Sequence, residues 1–176
     1  MSNTIDQRHA ALTPSVSPNA VSIFTTFVLA AVAALATWEI FARLIAPLWI
    51  GGPLEPAGLI QSVFNSALVK DLFGSVGLTK SGAEALHIFT GLVGYPLGYL
   101  LVVRPLARAT VPALPWWFVS AVYGTALWVF ALYIMAHLIA GFPAFIGFGA
   151  LTWASLVGHV AYAVVLGAIV RARFGA

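Results

Sequence analysis

The chain has 176 residues, of which 61% are apolar and 7% charged, and its mean hydropathy is +1.00. A water-soluble domain carries about a quarter of its residues as charges, so this composition excludes a soluble enzyme, a disordered polymer and a nucleic-acid binder. Eight basic residues against five acidic ones give a net charge of +3, with no Lys/Arg run to track a phosphate backbone. The chain has no cysteine, which removes disulfides, thiolate metal sites, iron–sulfur clusters and covalently attached c-type haem.

In chain order, residues 1–19 are polar, with Pro14, Pro18 and several Ser and Thr, and read as a flexible cytoplasmic tail. A helix needs about 20 apolar residues to cross a bilayer, and four segments qualify. The first is residues 20–46, stopping at Pro47 before Gly51, Gly52 and Pro53. Within it Ala34-Leu35-Ala36 has the form of a signal-peptidase site, but the apolar run continues through Ile40, Phe41, Leu44 and Ile45, so a retained span is expected. The outer connection, residues 47–82, contains an amphipathic pattern over about 58–73: Leu59, Ile60, Val63, Phe64, Ala67, Leu68, Leu72 and Phe73 face one way, and Gln61, Ser62, Asn65, Ser66, Lys70 and Asp71 the other. Such a helix lies flat on the membrane, caps the bundle or packs on its own loop.

The second span is residues 83–103, ending against Arg104-Pro105, and Pro96 predicts a kink and a freed carbonyl near its middle. A cytoplasmic loop, 104–115, leads to the third span, 116–140. The loop 141–147 is short and uncharged, which makes the fourth span, 148–170, an antiparallel neighbour of the third, before the cytoplasmic tail 171–176. Runs that are apolar on every face exclude barrel strands, because in lipid the backbone must then bond within a helix. The expected fold is therefore all-α: an integral membrane four-helix bundle with an amphipathic helix in its long first outer loop.

Small residues let membrane helices approach, and the expected packing positions are Gly91, Gly94 and Gly98, Ser120 and Gly124, then Gly158 and Gly167. Ionisable groups inside a span are costly and so are functional candidates: Glu39, Glu84, His87, His137 and His159. At about 1.5 Å per residue, His87 and His137 fall at matched depth, roughly 5 to 7 Å inside, with Glu39 at about 10 Å and His159 at about 16 Å. Matched imidazoles on antiparallel helices are the geometry of axial ligands to haem b. Each also has a plainer reading: Tyr133 lies one turn from His137, and Glu84 three residues before His87. Glu84 and His87 share the spacing of a di-iron motif, but one copy is too few. A divalent metal, zinc or copper, would draw on His87, His137, His159, Glu39 or Glu84. Arg43 follows Glu39 by four residues, the favourable order for an ion pair, while Glu39 with His159 would serve a proton path.

His87 with Gly91, Gly94 and Tyr95, and Ser155-Leu156-Val157-Gly158-His159-Val160-Ala161-Tyr162, resemble the YagU-like group of bacterial inner-membrane proteins over residues 84–170. In that group a His followed by small residues recurs in the second and last of four spans. The resemblance implies a multi-pass protein of a bacterial inner membrane in which His87 and His159 share a role. The expected function is non-enzymatic, an accessory or scaffolding component whose partners are the lipid bilayer and other membrane proteins or a second copy. The alternatives are a redox subunit holding haem b or a metal on His87 and His137, and a small proton-linked permeation path.

Arg8, Arg104, Arg108, Arg171 and Arg173 lie on one side of the spans and Arg43, Lys70 and Lys80 on the other, which places both termini in the cytoplasm. Trp116 and Trp117 then fall at the inner interface and Trp49 at the outer one. Alkaline phosphatase fused to either terminus is expected to stay inactive; activity at either end would invert this topology.

Overall fold

The computed structural model describes residues 19–74 and 77–175; the tail, apart from Asn19, lies outside them, as does Ala176. The described residues form six helices: α1 (Ala20–Ile50), α2 (Pro56–Phe64), α3 (Ala67–Phe73), α4 (Lys80–Thr110), α5 (Trp116–Ile139) and α6 (Ala150–Phe174). Helices α1, α4, α5 and α6 have 31, 31, 24 and 25 residues and are apolar enough to cross a membrane. The chain is an all-α four-helix membrane bundle.

Three helices run further than their sequence signals: α6 continues past Arg171 to Phe174, and the other two continue through prolines. α1 continues through Pro47 to Ile50, where Gly51 in the left-handed region closes it (φ 78°). α4 continues through Pro96 and Pro105 to Thr110, taking in much of the loop expected at 104–115. Proline has no N–H, and its ring crowds the carbonyl four residues back. Each helix accommodates this by widening one turn just before the proline. The residue preceding each one donates five residues back instead of four: Ala46 to Phe41, Tyr95 to Thr90, Arg104 to Tyr99.

The widened turn leaves a further carbonyl, five residues before the proline, without its usual donor. For Pro47 that carbonyl is Ala42, and the Leu54 N–H reaches back to it at 3.1 Å, pinning the outer connection to α1. For Pro96 it is Gly91, in the region where the kink was expected to free a carbonyl.

The expected amphipathic segment is two helices rather than one. Asn65 ends α2, and Ser66 starts α3 by accepting the Val69 N–H on its hydroxyl at 3.3 Å. α2 does not lie flat. It is wedged between the N-terminal half of α4 and the C-terminal half of α5, with Ala57 and Val63 buried and Gln61 Nε2 donating to the Leu78 carbonyl at 3.1 Å. α6 is the central helix, packed along both α1 and α5.

Glycines set those crossings. A methyl on Gly124 would meet the His159 carbonyl oxygen at 2.6 Å and the Val160 Cα at 2.7 Å, so the α5 and α6 backbones touch there. Gly158 abuts the Trp38 ring, Gly91 abuts Leu35, Gly98 abuts the Tyr123 hydroxyl, and Gly167 abuts Ser120 and Tyr99. Gly94 departs from the expectation: it is exposed, and a methyl added there would meet only Thr90 of its own helix within 4 Å.

The turn between α5 and α6 is left-handed. Phe145, Ile146, Gly147 and Phe148 all have positive φ, at 50°, 53°, 77° and 57°. That costs about 1–2 kcal/mol for each non-glycine residue. The turn is held by Thr152, whose hydroxyl donates to the Phe145 carbonyl at 2.5 Å, and by Trp128, which stacks on Phe145 and donates to the Thr152 carbonyl at 3.0 Å.

Gly124→Ala is expected to destabilise the bundle by about 1–3 kcal/mol, because backbone rather than a flexible side chain must yield. Gly94→Ala should leave stability unchanged. Thermal unfolding of both variants in detergent checks this pair.

Candidate functional site

Helices α4 and α5 touch at the arginine-rich end of the bundle and diverge at the other. Near the contact, the Tyr123 hydroxyl donates to the Tyr95 carbonyl at 2.7 Å, and Tyr99 shares a 2.8 Å hydrogen bond with Ser120. Beyond it, a cavity of about 370 Å³ opens between α4 and α5, walled by α1 and α6 and roofed by α2. Its lining is mostly aliphatic and aromatic: Leu35, Leu59, Ile60, Leu86, Phe130, Met135, Ile146 and Leu151 among others. His87, His159, Ser155, Thr90 and Tyr162 supply the polar points, with Glu55 at the mouth, 3.5 Å from Lys80 in an exposed ion pair.

The freed carbonyl of Gly91 faces Tyr162, whose hydroxyl donates to it at 2.5 Å from α6. The donor that would normally satisfy this carbonyl, the Tyr95 N–H, is bonded to Thr90, and the next residue is Pro96. In a membrane interior such a carbonyl must find a partner, so the proline in α4 fixes the tyrosine in α6.

His159 is buried, and its Nδ1 lies 2.8 Å from the Ser155 carbonyl. A carbonyl only accepts, so Nδ1 carries the proton and Nε2 keeps its lone pair. The Trp38 ring meets His159 edge-on, with centroids 4.5 Å apart, and lies 6.1 Å from the His87 ring. Trp38 is 5% exposed, and its Nε1 is buried without a hydrogen-bond partner. The Cε3–Cζ3 edge of the indole is against Gly158, which turns the opposite, N–H-bearing edge away from α6.

Glu39 pairs with Arg43 Nε at 2.7 Å, as the four-residue spacing leads one to expect, and its other oxygen lies 3.4 Å from His87 Nε2. That second approach is an ion-pair distance without hydrogen-bonding geometry. Glu39 itself is not part of the cavity wall.

The structure divides the expected histidine set. His87 and His159 share the cavity and the Trp38 ring, whereas His137 stands outside it. The His137 Nδ1–H donates to the Phe142 carbonyl at 2.7 Å and its ring lies 5.3 Å from Tyr133, so it braces the end of α5. Equal depth pairs His87 with His137 in the sequence; rotation about the helix axes separates them in the fold. Glu84 is exposed, and His87 turns to Glu39 rather than to it. Among the described residues, no three His, Asp or Glu side chains gather as a metal-binding group. Between Glu39 and His159 stand His87, 3.4 Å from Glu39, and the Trp38 ring, which lies against both imidazoles.

Trp38, Ser155 and Tyr162 join the site although nothing in the sequence marks them as candidates by charge. Tyr162 is legible in part, since a proline in a span demands a donor somewhere; nothing local says which helix supplies it. No protein-family model, curated protein or solved structure matches the chain.

Tyr162→Phe is expected to cost about 1–2 kcal/mol, as the buried carbonyl loses its donor. Pro96→Ala returns an N–H to α4 and lets the helix satisfy Gly91 itself. In that background Tyr162→Phe should cost less than half as much. A double-mutant cycle by detergent unfolding measures the coupling, and strictly additive effects would disprove the link.

Proposed function

We propose that this is a non-enzymatic membrane protein that holds a neutral amphiphile in the cavity beneath α2, with the ligand's polar head at Trp38 and His159. One observation carries the reading: Trp38, whose buried indole N–H has no partner, and His159, whose Nε2 keeps its lone pair, lie ring to ring and both line an apolar cavity. A donor beside an acceptor recognises a hydroxyl, which can accept from Trp38 and donate to His159. The wall bears no permanent charge apart from exposed Glu55 at the mouth, so an ionic head is disfavoured there. The cavity's size falls within the range of about 300–1,000 Å³ that small-molecule sites occupy.

The expected scaffolding role rests on glycine faces free to dock other helices. Five of those glycines, Gly91, Gly98, Gly124, Gly158 and Gly167, are consumed in packing within the chain, which moves the weight from docking to ligand binding. The accessory character, a protein that presents or retains a lipid-like molecule for others, is kept. The setting we propose is a bacterial cytoplasmic membrane with both termini inside, supported by the arginine distribution and by the resemblance to the YagU-like group. The two histidines that carry the resemblance are the two that line the cavity.

The test is extraction of the purified protein and mass spectrometry of what comes with it. A hydroxyl-bearing neutral amphiphile should be enriched over its share of the membrane and absent from Ala131→Phe, which fills the cavity. Trp38→Phe keeps the ring and removes the donor, and should weaken retention by about five- to tenfold. Recovery of bulk lipid alone, in membrane proportion and equally from all three proteins, would rule out the proposal.

A further inference from the structure

The opposite end of the bundle has a second concavity with different chemistry. Arg104 and Arg108 from the end of α4, Arg171 from the last turn of α6 and Trp116 from the first turn of α5 line a groove of about 300 Å³. No Asp or Glu side chain lines it; among the described residues the carboxylates Glu39, Glu55, Asp71 and Glu84 all belong to the other half of the bundle. Two of the guanidinium groups are held in place. Arg104 lies over the Phe174 ring, 5.5 Å from its centroid, and Arg108 donates to the Gly175 carbonyl at 3.5 Å. Between the cations the wall is apolar, formed by Val111, Leu114 and Val119.

Like charges gathered in one groove repel, and a bound anion relieves the repulsion. Guanidinium groups present planar forks of donors that match phosphate oxygens. The groove lies where helices that span the membrane leave it, with a tryptophan at its edge. We propose that this groove binds the phosphate of an anionic phospholipid, Arg104 and Arg171 holding the phosphate while the start of an acyl chain runs along Val111, Leu114 and Val119. A zwitterionic lipid fits less well because, among the described residues, no Asp or Glu lines the groove to receive its ammonium group. A free phosphate would satisfy the arginines and leave the apolar wall unused. The assignment is independent of the cavity beneath α2 and of which leaflet this end faces.

The experiment is native mass spectrometry of the full chain in detergent, titrated with dioleoylphosphatidylglycerol or dioleoylphosphatidylcholine. The parent should bind the anionic lipid at least about fivefold more tightly. Arg104→Gln with Arg171→Gln removes two charges at about fivefold each, so affinity for phosphatidylglycerol should fall about 25-fold and the preference should vanish. Arg173→Gln, which is outside the groove, should bind as the parent does, and circular dichroism of each variant verifies the fold. Equal binding of the two lipids by the parent, or a preference that survives the double substitution, overturns the proposal. Displacement of phosphatidylglycerol by millimolar inorganic phosphate would make this a free-anion pocket and overturn the lipid assignment as well.

Discussion

A backbone carbonyl in hydrocarbon has no water to turn to, and three prolines in the spanning helices each create one that its own helix cannot satisfy. The organisation of this bundle follows from where those carbonyls find donors. Ala42 takes the N–H of Leu54, which folds the outer connection back onto α1 and delivers α2 to its place between α4 and α5. Gly91 takes the hydroxyl of Tyr162, which ties α4 to the central helix beside the cavity. Pro105 leaves Leu100 in the same position near the arginine-rich end. What a sequence reader takes for helix breakers are therefore the points at which one element is fastened to the next.

The widened turns also change which way side chains point. Gly91 and Gly98 are seven residues apart, nearly two whole turns of a regular α-helix, and would share a face. The turn at Thr90–Gly94 absorbs one extra residue, which rotates everything after it by about 100°. Gly91 consequently meets Leu35 of α1, while Gly98 meets Tyr123 of α5. One helix thereby serves two neighbours with the same kind of contact, and α4 meets α5 from Tyr95 onward. The cavity is the space left before that point, where α4 follows α1 while α5 packs on α2 and on the turn that leads to α6.

The same geometry explains what the sequence could and could not reveal. Span number, the antiparallel pairing of the last two spans, the Glu39–Arg43 pair and a freed carbonyl near Pro96 follow from one-dimensional quantities: hydropathy, loop length and residue spacing. Depth is such a quantity too, and it correctly puts His87 and His137 near one end. Azimuth is not, because a span that is apolar all round has no polar face to orient it. His137 consequently went to Phe142 and His87 to Glu39 and Trp38. Gly94 fails as a packing position for the same reason, since nothing in the sequence marks its face of α4 as the exposed one. The roof helix α2 was visible as a pattern, but its wedge position depends on the Leu54 bond to Ala42, which no local signal encodes.

Most polar groups in the interior are satisfied: Tyr123, Tyr99, Ser120 and Tyr162 each have a partner across a helix boundary, and His159 has Ser155. Against that background two buried atoms stand apart, the Trp38 N–H and His87 Nε2. A buried donor without a partner costs about 1–3 kcal/mol, and a phenylalanine would fill similar space without that cost. The ring edge seated on Gly158 is the edge that carries no nitrogen. The fold does not lack a neighbouring acceptor, since the His159 lone pair belongs to the ring that Trp38 touches. The Trp38 and His159 rings are in contact, the first with an unpaired donor and the second with an Nε2 lone pair, and both residues line the cavity; on that arrangement the proposal of a hydroxyl-bearing ligand rests.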